Sequence, residues 1–460
     1  MSSPLRIANG AGFLGDDLDA PRWLVEAAEV DYLTLEYLAE LTLSILAYQR
    51  EKNPAAGYAQ DFLEVLQSLD AALRRQSQLR IITNGGGMNP VSCARAAARL
   101  RVAAGAPDEM IGVVTGDDLL PRLPELRAAG CEFRNLDTGQ PLADLTQPVA
   151  SANAYLGAEP LVRALAGDAR IVIAGRVADA SLTVAPAMHE FGWSWNDWDR
   201  LAAASVAGHL IECGAQVTGG YAADWRGRDL THVGYPVAEL DAAGNTVITK
   251  PAKSGGIVNR RTVAEQLVYE IGDPRHYLTP DVDVDFTTVE IAECGANRVA
   301  VRGVTGRPAP ENYKVSLAYR AGFAASGQLL VFGADCVAKA RECADIILQR
   351  VKRAGFELAR TGVELLGAGD GVPGQPASAA PREVVLRIAV HDARRAAVER
   401  FATEFAPLIT SGPAGLAGYT SGRSPVRPVL AYWPTLVPRS LVTPAVEVRT
   451  AREWSAGGAS

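Results

Sequence analysis

The sequence predicts an α/β fold: a mostly parallel sheet covered by helices, with a small α+β domain at the C-terminal end. Three observations carry that expectation. Leu5–Ala8, Leu79–Thr83, Met110–Thr115 and Arg170–Ala174 are short runs, apolar almost throughout, as strands read when helices cover both faces of a parallel sheet. The stretches between them carry apolar residues at helical spacing. Each run closes on glycine and polar residues, at Gly10, Asn84–Gly87, Gly116 and Gly175, and open parallel sheets bind ligands beyond the carboxyl ends of their strands.

The elements follow in order. Ala20–Glu29 is a helix with Pro21 in its first turn, where a missing N–H does no harm. Asp31–Tyr37 is rich in β-formers. Glu40–Arg50 and Tyr58–Arg75 are helical, and in the second Phe62, Val65, Leu66, Leu69 and Leu73 form one apolar face. Pro90–Val102 and Leu201–Ala215 are helices, and Val299–Val301 and Val315–Leu317 are strands. Ala334–Ala354 is a helix with Val337, Ala340, Ala344, Ile347 and Val351 along one side. Residues 367–381 (GAGDGVPGQPASAAP) bury little and read as a linker. It divides an α/β domain, residues 1–366, from residues 382–460. In that last stretch the strand Val384–Val390, the helix Ala396–Leu408 and the apolar Val429–Leu436 make a small α+β unit of ferredoxin-like kind.

Composition narrows the function classes. Apolar residues make up 48% and charged ones 21% of 460 residues, enough to bury several cores, which excludes a disordered scaffold. A net charge of -7 without a basic stripe argues against nucleic acid. The six cysteines are scattered without a C-x-x-C, against a disulfide framework or a zinc ribbon. No apolar stretch is long enough to span a bilayer, and the N-terminus carries no signal-like run. A cytoplasmic protein is expected.

Several motifs bear chemistry. Gly10, Gly12 and Gly15 complete a G-x-G-x-x-G pattern after the first strand, and Glu36 follows the second, an arrangement that can hold a dinucleotide. Asp16 and Asp17 stand where the pyrophosphate would lie, which fits a tight turn with an acidic helix cap equally well. Asn84, Gly85, Gly86 and Gly87 can bring amide donors to a carboxylate or an enolate oxygen, or form a plain strand-to-helix turn. Asp117 ends a strand as a substrate contact or a cap. Arg176 offers a planar fork for a carboxylate, with Asp179 placed to orient it. His209, Glu212 and Cys213, at i, i+3 and i+4 of one helix, gather an imidazole, a carboxylate and a thiol on one face. The remaining histidines lack ligand spacing, so no metal is expected.

A set of strings, taken together, carries a resemblance: Gly12–Asp16, Asp31–Leu33, Tyr37–Glu40, Asn84–Pro90, Gly175–Ser181, Gly208–Gln216 and Thr262–Leu267. The sequence resembles the acyclic terpene utilisation AtuA family from about Ile7 to Arg350, and its end resembles that family's C-terminal module. The family pattern often has Arg and Asp where Asp17 and Glu36 stand here. The resemblance implies a place in the breakdown of citronellol- and geraniol-like acids as CoA thioesters, among carboxylation, hydration and retro-aldol steps.

The expectation is a hydro-lyase, a hydratase or dehydratase acting on a branched, terpenoid acyl group, free or as a CoA thioester. His209 and Glu212 supply acid and base, with Asn84 and the donors of Gly85–Gly87 on the enolate oxygen. Arg176, Asp179, Asp117 and Cys213 line the substrate. A homo-oligomer is expected, with no membrane or nucleic-acid partner; the cofactor is left unspecified. Two alternatives stand: an NAD(P)-dependent oxidoreductase using the Gly10–Gly15 loop and Glu36, and a non-catalytic subunit of a multi-protein complex.

Overall fold

The computed structural model describes residues 3–372, 374, 381–418 and 423–457, and of Glu40 only the backbone. The chain divides into two compact units. One comprises Met1–Thr146, Ala150–Leu317 and Tyr432–Ser460, the other Gln147–Val149 and Ala318–Ala431.

The first unit is built on a ten-stranded sheet whose centre is parallel. Strand Leu5–Ala11 pairs with Tyr32–Leu35, that with Arg80–Thr83, that with Ile171–Ala174, and that with Met110–Thr115. The flanks are antiparallel: Val237–Leu240, Thr246–Thr249, Arg298–Arg302 and Glu290–Gly295 follow on one side, and Ala445–Thr450 on the other. The sheet is therefore mixed, and the expectation of a mostly parallel one holds only for its centre. The apolar-run signal marks strands covered on both faces, and on the flanks it found only Val299–Val301; it is silent about an edge strand such as Ala445–Thr450 with its alternating exposure.

Leu33, Leu35, Ile81, Ile111, Val113, Ile171 and Ile173 face one core. Helices Ala20–Ala27, Gln60–Ser68, Asp70–Arg75, Pro90–Ala103 and Ala451–Ala456 bury their apolar residues in it. Leu24, Phe62, Leu66 and Cys93 are 2% exposed or less, and burying each such side chain contributes about 1.5–3 kcal/mol. The single helix expected over Tyr58–Arg75 is two, bent at Leu69, whose N–H is shared among the carbonyls of Val65, Leu66 and Gln67. Helices Glu159–Ala166, Ser181–Phe191 and Trp198–Glu212 pack on one another and against the sheet.

In the second unit, the part of strand Asn312–Phe332 from Ala318 onward forms an antiparallel sheet with Arg360–Leu366, Glu383–Asp392 and Leu416–Ala417, Glu383–Asp392 lying between Arg360–Leu366 and the long strand. Helix Cys336–Arg353 buries Ala340, Ala344, Ile347 and Val351 at 3/4 spacing, and Arg395–Ala402 buries Val398 and Phe401. This unit corrects the expected boundaries. Residues 318–366, assigned from sequence to the first domain, belong here, while 432–460 rejoin the first unit through the pairing of Ala445–Thr450 with Met110–Thr115. The expected linker joins two strands that pair with each other, Leu366 opposite Val385, so it is a hairpin connection. Within it, residues 373 and 375–380 lie outside the described residues. Gly/Pro composition marks chain that buries little, and that is true of hairpin loops and linkers alike.

Candidate functional site

The carboxyl ends of the parallel strands open onto a cleft of about 1070 Å³, lined wholly by residues of the first unit. The turn after Leu5–Ala11 contributes Gly12 and Asp16, that after Tyr32–Leu35 Glu36, and that after Ile171–Ala174 Arg176 and Asp179. The end of helix Trp198–Glu212 contributes His209, Glu212 and Cys213. Seven of the expected site residues, Gly12, Glu36, Arg176, Asp179, His209, Glu212 and Cys213, thus share one cavity.

Two glycines bring these turns together by letting backbone meet backbone. A Cβ on Gly208 would stand 2.8 Å from the Cα of Ala180, so glycine there lets the Arg176–Ala180 turn close on the His209 helix. A Cβ on Gly12 would stand 2.8 Å from the carbonyl carbon of Cys213, which seats the first turn on the end of the same helix. What Gly208 admits is a neighbouring loop.

His209 is buried in the cleft wall. Its Nε2 donates to the Gln266 carbonyl at 3.0 Å, and its Nδ1 stands 3.2 Å from Oε1 of Glu212. The rings of Tyr277 and Phe286 pack on it at 5.8 and 5.4 Å. Burial alone would push the imidazole pKa down. The Glu212 carboxylate, the Gln266 carbonyl and Glu270 more than offset that, and it ends above the ordinary histidine value. Both side chains line the cleft, and His209 Nδ1 and Glu212 Oε2 are buried there with no hydrogen-bond partner. The expected i, i+3 pairing holds. Cys213 falls just past the helix end, ahead of Gly214 at φ +58°. Burial and the Glu212 charge push its thiol pKa up, so it is no thiolate.

Arg176 is 2% exposed. Its Nη1 donates to the Leu38 carbonyl at 2.6 Å, its Nη2 pairs with Asp179 at 3.1 Å, and its guanidinium lies 4.0 Å from the ring centre of Tyr155. Glu36 shares this end of the cleft. Burial and the Asp179 charge raise its carboxyl well above the usual range, against the opposing pull of Arg176, Asn84 and the Leu38 N–H.

The remaining expected residues lie outside the cleft lining, and each has a structural role. Asn84 is fully buried behind Glu36. It donates from Nδ2 to Glu36 Oε1, and its Oδ1 accepts the Tyr37 N–H at 2.8 Å. Gly85 donates its N–H to Thr83 Oγ1 and Gly87 donates its own to the Asn84 carbonyl, so neither amide serves an oxyanion in the cleft. Gly86 is a packing glycine, since a Cβ there would stand 2.5 Å from the Ala174 carbonyl oxygen. Asp117 is buried beneath the Gly175 turn, where Oδ2 accepts the Arg176 N–H at 2.9 Å and the Asn153 amide at 2.8 Å. Burial raises its pKa to about 6.

The dinucleotide arrangement is likewise corrected. Asp16 Oδ2 accepts the Gly12 N–H at 2.8 Å and Asp61 Oδ2 accepts that of Gly15 at 2.9 Å, so the chain's own carboxylates occupy the amides a pyrophosphate would need. Gly10 packs closely on Pro21 and Leu33, and Glu36 is engaged by Asn84.

Sequence reasoning missed the aromatic and amide frame: Tyr155 under Arg176, Tyr277 and Phe286 around His209, and Tyr235, which donates to Asp16 at 2.6 Å. A single tyrosine in a long α/β chain carries no periodic signal. Gln266 stood inside one of the familiar strings without a role. Among the described residues no group of three His, Cys, Asp or Glu side chains could hold a metal ion, and no helix is long and apolar enough to cross a membrane.

Residues 5–448 match the family described as acyclic terpene utilisation family protein AtuA. The chain belongs to the AtuA family. The match runs through both units, so the second unit is part of what defines the family. No curated protein and no solved structure matches the chain.

Proposed function

We propose that this AtuA-family protein is a hydro-lyase that moves a proton beside a carbonyl of a branched-chain, terpenoid acyl substrate. The observation that carries the proposal is the buried pair of His209 and Glu212, 3.2 Å apart in the wall of a cleft large enough for a substrate of that size. Glu212 is the catalytic base through Oε2, the oxygen that no protein group engages. His209 is the positioning residue: its Nδ1 stands 3.2 Å from Oε1 of Glu212 as an ion-pair partner, and the Gln266 carbonyl fixes the ring. In the dehydration direction Glu212 takes the proton from Cα. The C–H electron pair forms the Cα=Cβ bond by way of the enolate, and the β-hydroxyl leaves with the same proton as water. Hydration is the reverse.

Phe13, Leu38, Leu136, Leu278 and Leu436 give the cleft apolar walls that suit a branched hydrocarbon chain, and the family's description supports an acyclic terpenoid one. The test is incubation of purified protein with a branched 2-enoyl thioester in D2O, followed by mass spectrometry. Addition of D2O across the double bond, lost in Glu212→Gln, is the expected result. A wild-type protein that binds the thioester and leaves it unchanged would refute the proposal.

A further inference from the structure

Taking a proton from beside a carbonyl puts negative charge on the carbonyl oxygen, and that charge needs a donor. The turn expected to supply it, Asn84–Gly87, lies outside the cleft lining and its amides at Gly85 and Gly87 are engaged within the chain. Glu36 does line the cleft. Its Oε1 accepts two hydrogen bonds, from the Leu38 N–H at 2.9 Å and from the Asn84 amide, while Oε2 is buried with no partner. An ionised carboxyl would leave charge buried on Oε2 without compensation, whereas a carboxylic acid has a proton there to offer.

We propose that Glu36 is a carboxylic acid in the working protein and donates a hydrogen bond from Oε2 to the substrate's carbonyl oxygen, holding that oxygen as it takes up charge. The proton stays on Glu36 throughout. Asn84 is a positioning residue: together with the Leu38 N–H it saturates Oε1 and leaves Oε2 to carry the proton. The charged groups facing Glu36 are Asp179 and Arg176. Burial and Asp179 raise its pKa; Arg176, Asn84 and Leu38 oppose this without cancelling it. Arg176 and Asp179 are paired at 3.1 Å, so the surroundings of Glu36 are close to neutral overall. That favours a neutral carbonyl, as in a thioester or ketone, over a free carboxylate. The inference rests on the proton-transfer proposal and narrows its substrate.

Two measurements test it, and the first needs no substrate. Infrared difference spectra between wild type and Glu36→Gln at pH 7 are expected to show a carboxylic-acid carbonyl band belonging to Glu36. Carboxylate bands in its place would overturn the proposal. In turnover of a branched acyl thioester, Glu36→Leu, which has no donor, is expected to lose about 10²–10³-fold in kcat, and Glu36→Gln, whose amide keeps one, no more than about tenfold. Equal losses would overturn the donor role. If wild-type protein leaves the thioester untouched, the proton-transfer proposal fails, and the infrared band then decides the state of Glu36 by itself.

Discussion

Strands Arg80–Thr83 and Ile171–Ala174 are neighbours in the sheet, and each ends in a glycine-bearing turn that leads to a helix. From sequence the two turns look like equal candidates for a ligand site. In the structure the first turns inward: Gly85 donates to Thr83, Gly87 to Asn84, and the Asn84 side chain joins Tyr37 to Glu36. The second gives its Arg176 N–H to Asp117 beneath it and sends Arg176 and Asp179 into the cleft. The difference is where the polar groups are satisfied. A turn rich in glycine marks a place where backbones come close; a ligand site needs polar groups that its own chain has not fully claimed.

The sharpest way to break this comparison is at Glu212. Glu212→Gln is expected to lower turnover about 10²–10⁴-fold with little change in melting temperature, because it removes the base and keeps the shape. His209→Asn is expected to lose less and to shift the acidic limb of the pH profile, since histidine acts through Glu212. A Glu212→Gln protein with full turnover would move the chemistry elsewhere in the cleft.

Glycines of the two turns separate packing from function. Gly86→Ala forces a Cβ against the Ala174 carbonyl and is expected to cost about 1–3 kcal/mol in urea unfolding, with turnover per folded molecule retained. Gly208→Ala pushes on Ala180, so it is expected to cost similar stability and turnover as well, because it moves the loop that carries Asp179. Equal loss of turnover in both would erase the distinction.

The support beneath the second turn has a pH signature. The folded Asp117 pKa is about 6, raised from an ordinary 3.8 by burial. A raised carboxyl contributes stability that is fully present below its unfolded value and lost as pH climbs through the folded one. Relative to Asp117→Asn, wild-type protein is therefore expected to lose about 2 kcal/mol between pH 4 and pH 7, read by urea unfolding. A constant difference across that range would show Asp117 unperturbed. The smallest expected effect is at the first turn. Titration with NADH should leave its fluorescence flat, since Asp16 and Asp61 hold the amides of Gly12 and Gly15. Saturable enhancement would reinstate the dinucleotide reading.

Much of the frame was legible along the chain. The strand Met110–Thr115 lies as its apolar run predicts, helix Pro90–Ala103 begins at its proline, and His209 and Glu212 share a helical turn because that pairing depends on spacing alone. Of the antiparallel flanks only Val299–Val301 was legible; Val237–Leu240 and Thr246–Thr249 are four residues long and interrupted by polar ones, and Ala445–Thr450 alternates in exposure, so none of these carries an apolar run. The unit boundary was misread, because a hairpin loop and a linker share a composition.

The sequence by itself determined the local facts: which segments are helices and strands, that the parallel strand ends carry polar turns, and that an imidazole and a carboxylate sit one helical turn apart. Only the tertiary structure decided which donors remain for a ligand, that Glu36 lies in the cleft with Asp179 beside it, and that His209 and Glu212 reach the same cavity. The physical reason is that hydrogen-bond satisfaction and burial are set by neighbours far apart along the chain, such as Asn84 on Glu36 and Gln266 on His209. No periodicity records those meetings.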